Sequence, residues 1–142
     1  MTTRREGREW ALQVLFQLDF QPADPIETLA QFWQSNDLQH DPCVFTEELV
    51  CGVMEYRPAV DALIQRYADN WDLRRIGRVD RNVLRLAIFE LMHRNDIPPA
   101  VSINEAIDLA KYFSSSESGR FVNGVLDRTR KELEAARLGD SE

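Results

Sequence analysis

The sequence predicts an all-α protein, on three observations. Apolar residues recur at spacings of three and four through successive segments, the period of a helix with one buried face. Asp-Pro and Pro-Pro pairs punctuate those segments as helix starts and stops. No segment alternates like a strand between hairpin turns, and no fixed-period repeat appears. About seven helices are expected in one domain spanning residues 1–142, with short connectors that favour antiparallel neighbours.

The first helix is expected from about Arg5 to Asp19, with Trp10, Ala11, Val14, Leu15 and Leu18 on its apolar face; Gln21-Pro22 ends it. Asp24 then caps a short second helix, with Pro25 at its first position and Ile26, Leu29, Ala30 and Trp33 in helical period. Asp41-Pro42 repeats the device before a third helix carrying Val44, Phe45, Leu49, Val50, Val53 and Met54, which Pro58 interrupts; Val60, Leu63, Ile64 and Tyr67 mark a fourth. Trp71 to Arg78, with Gly77, reads as a connector. Asp80 is placed to cap the next segment, where Val83, Leu84, Ala87, Ile88, Leu91 and Met92 form a stripe regular enough for the central helix. Pro98 and Pro99 stop it. Ser102-Ile103-Asn104-Glu105 reads as a capping box for a helix whose inward face is Ala106, Ile107, Leu109, Ala110 and Phe113. Ser114 to Gly119 reads as a polar loop. The last helix is expected from about Arg120 to Arg137, with Phe121, Val122, Val125, Leu126 and Leu133 inward.

Composition narrows the function. No apolar stretch approaches a membrane span and no apolar signal core follows Met-Thr-Thr-Arg-Arg, so a cytoplasmic protein is expected. A net charge of −7 argues against general affinity for nucleic acid. The charge is segregated, however: Trp10 to Tyr56 contains no Lys or Arg, whereas Arg74 to Arg94 holds six arginines against Asp80 and Glu90. Such segregation permits a basic patch, and it equally suits ordinary solvated helix faces.

Enzymatic chemistry finds little support. His40 and His93 read as surface residues in a loop and at a helix end, and Cys43 and Cys51 form no CxxC and read as small core hydrophobes. There is no phosphate-binding glycine motif and no base near the serines at 114 to 118. No catalytic residue, metal or cofactor is expected. RNA binding has the better physical case. Arg4, Arg5 and Arg8 stand at the start of the first helix, with Arg4 and Arg8 on one face, where the helix dipole disfavours cations. The competing reading pairs Arg5 and Arg8 with Glu9 and Glu6 as a solvated face.

Four phrases carry a family likeness: RREGREWALQVLFQLD (Arg4 to Asp19), DRNVLRLAIFEL (Asp80 to Leu91), INEAIDLAKYF (Ile103 to Phe113) and RFVNGVLD (Arg120 to Asp127). In these the chain closely resembles the NusB family of transcription antitermination factors. The resemblance implies two packed helical bundles, binding of the single-stranded boxA RNA element, and a partnership with NusE, a small-subunit ribosomal protein, in the elongating RNA polymerase complex. It also implies site residues: Arg4, Arg5 and Arg8 for RNA, joined by Arg85, Arg120 and Phe121, with Glu117 as an acid that moderates affinity, and Phe16 and Asp80 facing NusE. Basic ribosomal proteins suit the acidic balance of this chain. Phe121 and Phe16 have core readings beside these, and Asp80 its capping role; Asn104 and Asn123 read as buried amides bridging helices. Gly7 stands where the family usually has alanine, so the first turn is expected to fray until RNA orders it. Two rival functions stay open: a protein-interaction module without RNA binding, and a stand-alone relative of the RNA-binding domain of ribosomal RNA methyltransferases. Equally open is whether the free protein is a monomer or a homodimer that covers the arginine face.

Overall fold

The central helical stripe becomes the axis of the molecule. A computed structural model describes residues 2–68 and 72–140, so Trp71 lies outside the described residues. Among those described are seven helices: α1 (Arg4–Phe20), α2 (Pro25–Ser35), α3 (Val44–Glu55), α4 (Arg57–Tyr67), α5 (Arg78–His93), α6 (Pro99–Phe113) and α7 (Ser116–Asp140), with a 3₁₀ turn over Leu73–Arg75. Every residue of α5 from Arg81 to Leu91 is buried, because helices surround it on all sides. On one side α1, α2 and α3 pack together; on the other α4, α6 and α7 do. Both groups close on α5, giving the two packed bundles that the resemblance implies. Leu15, Leu18, Leu49, Ile64, Leu84, Ile88 and Leu126 are fully enclosed, each worth about 1.5–3 kcal/mol relative to exposure. No helix among the described residues is long and apolar enough to cross a membrane.

The α2 start forms as the sequence indicates, with Asp24 Oδ1 accepting from the Ile26 amide at 3.2 Å and Pro25 following. Other boundaries differ. Helix α3 starts after Cys43, which supplies no side-chain cap, so Asp41-Pro42 stands outside it. Helix α5 starts after Gly77, placing Asp80 inside the first turn instead of at the cap. Helix α6 already begins at Pro99, which is suited to a first turn; Ser102 therefore lies within the helix and forms no capping box. The expected serine loop shrinks because α7 begins at Ser116. Asn104 and Asn123 are exposed and bridge no helices among the described residues, while Phe113 is 37% exposed rather than inward. Cys43 and Cys51 are free thiols, half-buried against the core.

The first turn of α1 is helical and capped. Thr3 Oγ1 accepts from the Glu6 amide at 3.1 Å, and Glu6 Oε1 accepts from the Thr3 amide at 3.2 Å: the capping box lies here. Gly7 is buried against α3, and its carbonyl accepts from Thr46 Oγ1 at 2.8 Å. A Cβ there would stand 3.1 Å from the Phe45 ring and 3.3 Å from Cys43 Sγ, so the missing side chain permits the close approach of α1 and α3.

Candidate nucleic-acid interface

The N-terminal arginines divide by burial. Arg8 points inward: its Nε and Nη2 donate to Glu90 of α5 at 2.9 and 2.8 Å, and Ser102 Oγ donates to the same carboxylate at 2.9 Å. Both charged side chains are nearly sealed, 4% and 1% exposed, which withdraws Arg8 from direct RNA contact. Arg85 is likewise 4% exposed, with Nε and Nη2 donating to Asp61 at 2.8 and 3.2 Å and Nη1 to Asn82 at 3.1 Å. Its expected reach to RNA is not met. An arginine in the middle of an enclosed helix joins α4 to α5 and cannot touch a ligand outside.

Arg85 belongs to a clasp around Asp19 at the end of α1. Asp19 Oδ2 accepts from Arg81 at 2.6 and 3.0 Å and from Asn82 at 3.1 Å. Burial pushes the Asp19 carboxyl up, but the Arg81 hydrogen bonds and the Arg85 and Arg81 charges outweigh it and hold the group below its usual range. Arg81 also donates to the Leu73 and Ile76 carbonyls, each at 3.2 Å, tying the 3₁₀ turn to α5.

Arg4 and Arg5 stay at the surface, and neither pairs with its own helix. Arg5 Nε donates to Glu105 at 3.0 Å and Nη2 to Asp108 at 2.9 Å, both on α6. Arg4 reaches Asp96 at 3.4 Å, and Arg94 holds that carboxylate at 2.9 and 3.0 Å. The Arg94 hydrogen bonds drive the Asp96 carboxyl far below its usual range. Arg4, Arg8 and Arg94 all lie over the Phe45 ring, at 4.9, 5.3 and 5.3 Å. The alternative pairing of Arg5 with Glu9 and Arg8 with Glu6 does not form, and contacts between helices take its place. Local spacing marks none of these carboxylates as an arginine partner, and it assigns Glu105 to a capping box instead.

Helix α6 links this face to the start of α7. Past Glu105 and Asp108, the Lys111 side chain lies against Gly119, next to Arg120. Glu117 and Arg120 are exposed; Phe121 is half-buried, packed on the core with part of its ring on a groove that also takes in Arg75, Asp80 and Ser118. Asp80 Oδ2 accepts from Ser118 Oγ at 3.1 Å. Burial raises the Asp80 carboxyl above its usual range, against the opposing effect of that hydrogen bond. Asp80 therefore joins Glu117 and Phe121, while Phe16, 41% exposed, lies on a separate apolar groove with Leu12, Gln13, Val79 and Phe113. The two grooves adjoin at Val79 and Asp80, in the first turn of α5. Phe113 reads as core in the sequence, and Leu12, Gln13 and Val79 carry no local signal, because the groove forms only where α1, α5 and α6 meet.

The class these features define is an all-helical protein whose candidate site is an open polar face beside an apolar groove. Among the described residues no three His, Cys, Asp or Glu side chains group closely enough to hold a metal. The NusB family model matches residues 5–131, and the chain belongs to the NusB family. Among curated relatives, a transcription antitermination protein NusB from Myxococcus xanthus is 52% identical over 132 residues, covering 90% of this chain and 94% of its own length. Among solved structures, T. maritima NusB superposes with a TM-score of 0.80 at 39% identity, covering 92% of each chain. A second is that of the antitermination factors NusB and NusE in complex with double-stranded RNA; its matching chain has a TM-score of 0.79 at 26% identity, covering 91% of this chain and 96% of that one.

Proposed function

We propose that this chain is a transcription antitermination factor: with NusE it binds boxA RNA and supports processive elongation by RNA polymerase, notably on ribosomal RNA operons. It works in the cytoplasm as a non-enzymatic helical adaptor, a single RNA-binding domain over residues 1–142. The observation that carries this reading is the continuous surface along α6, from Arg4 and Arg5 at one end to Arg120 and Phe121 at the other. Arginine supplies bidentate phosphate contacts and stacking, and Phe121 a π face for an unpaired base. Glu117 sits beside them and opposes phosphate. Arg8 and Arg85 act as positioning residues: one fixes α1 against α5, the other fixes α4 against α5. Phe16 and its apolar groove offer NusE a hydrophobic anchor, with Asp80 at the boundary between the protein and RNA surfaces.

One observation favours the rival protein-interaction module. Arg4, Arg5 and Arg8 each already hold a carboxylate, so RNA phosphate must compete for Arg4 and Arg5. Fluorescence anisotropy of labelled boxA-type RNA, with and without NusE, at two salt concentrations and against a scrambled RNA, decides between them. Salt-sensitive binding that prefers boxA and tightens with NusE is expected. Equal, weak binding of both RNAs with NusE present overturns the reading and leaves the interaction module.

A further inference from the structure

One side chain grips the framework of both candidate surfaces. Arg81 stands on α5 two residues after Val79, which lines the apolar groove. Its carboxylate partner Asp19 stands on α1 nearly one turn after Phe16, on another wall of that groove. Arg81 Nη2 and Nε donate to Asp19 Oδ2 at 2.6 and 3.0 Å, and the two side chains are only 11% and 9% exposed. The third nitrogen serves a different element. Arg81 Nη1 donates to the carbonyls of Leu73 and Ile76, each at 3.2 Å; Leu73 opens the 3₁₀ turn and Ile76 closes it. Arg75 and Ile76 in turn form part of the groove that Phe121 lines, beside the RNA surface. The two grips differ in strength. The bonds to Asp19 are short and charge-assisted on both sides, whereas those to the turn lie at the long end of the N–H···O range.

We infer that Arg81 is a positioning residue that couples the two surfaces. NusE, seated between Phe16 and Val79, fixes the ends of α1 and α5 around the Asp19–Arg81 pair, and the guanidinium then holds the 3₁₀ turn in the arrangement that RNA binds. The inference rests on the reading of this chain as an RNA-binding partner of NusE, and deepens it by naming the residue through which one ligand tightens the other. Arg81 acts through its neighbours and touches neither ligand. A ligand shifts a conformational equilibrium only through contacts that differ between its two states. Here the differing contacts are the two long bonds to the turn, which shorten once Asp19 is held. Arginine is required because its planar fork offers separate edges, one to the carboxylate and one to the carbonyls; the single ammonium of lysine, on a flexible stem, cannot hold both. The neighbouring Arg85 donates to Asp61 and Asn82 instead, so it bears on α4 and not on the turn.

The test measures the ratio of the Kd for labelled boxA-type RNA without NusE to the Kd with NusE, by anisotropy. The wild-type protein is expected to give a ratio of about fivefold or more, the low end of ordinary coupling between sites. Arg81→Lys keeps a charge beside Asp19 and gives up the turn; Asp19→Asn keeps the turn and weakens the hold on α1. Each is expected to cut the ratio about threefold or more. Because coupling is reciprocal, titrating NusE with and without RNA gives the same ratio independently. Gly52→Ala crowds the Phe89 ring where α3 meets α5, outside the clasp, and is expected to lose stability while keeping the wild-type ratio. A wild-type ratio in either Arg81→Lys or Asp19→Asn overturns the inference, and so does a Gly52→Ala ratio that falls with theirs. A wild-type protein that binds boxA-type RNA no better than scrambled RNA, or no tighter with NusE, overturns the underlying reading as well, and the wild-type measurements alone show that.

Discussion

The sealed pair Arg8 and Glu90 offers a direct test of how this fold is held. Two hydrogen bonds of 2.9 and 2.8 Å join the guanidinium to the carboxylate, Ser102 adds a third at 2.9 Å, and both side chains are shielded from water. Removing one partner leaves the other charge buried and uncompensated. Glu90→Leu or Arg8→Met is therefore expected to cost about 4 kcal/mol, the middle of the roughly 3–5 kcal/mol range for broken buried pairs. At about 2–4 °C per kcal/mol for a chain near this size, the melting temperature falls by roughly 8–16 °C. The double variant Arg8→Met with Glu90→Leu removes both charges, and the freed Ser102 hydroxyl can turn to the preceding turn of its own helix. Its stability is expected to return close to wild type or above it. Urea unfolding followed by far-UV circular dichroism, arranged as a double-mutant cycle, measures the coupling. The double variant is also expected to keep RNA binding, since Arg8 only positions α1. Single variants that cost under about 1 kcal/mol, or a double variant as unstable as the sum of the singles, would refute the reasoning.

Three further outcomes follow from named contacts. A Cβ at Gly52 would overlap the Phe89 ring, so Gly52→Ala is expected to cost about 1–3 kcal/mol, with part of the loss recovered in combination with Phe89→Leu; thermal melting checks both. Asp19 has a folded-state pKa below its ordinary 3.8, so its contribution is fully present above 3.8 and is lost as pH falls through the folded value. The stability gap between wild type and Asp19→Asn, followed by acid titration of urea midpoints, is therefore expected to be widest near neutrality and to shrink below pH 3.8; a gap that grows on acidification contradicts this. Glu105→Gln with Asp108→Asn frees Arg5, and RNA affinity is expected to rise, with a log–log salt slope steeper by about 0.7 if Arg5 gains one phosphate; an unchanged slope shows that Arg5 touches none.

Local order was legible in the sequence because a helix repeats every 3.6 residues, and the stripes in α1, α2 and α5 record that period directly. Proline marks helix starts for the same local reason: Pro25 and Pro99 both open helices. Arg4, Arg5, Arg120 and Phe16, which the family phrases imply as site residues, are exposed. What the sequence did not determine is which charge meets which. Arg8 finds Glu90 across 82 residues and Arg5 finds Glu105 across 100, and no spacing rule along one helix reaches that far. Ser102 and Asp80 both look like caps until the helix starts are known, and each then turns out to serve a neighbouring helix. Arg85 resembles a surface cation until α5 is enclosed on all sides. Periodicity is a property of one helix, whereas burial and ion pairing are set by how helices pack, and packing alone decided which arginines can reach a ligand.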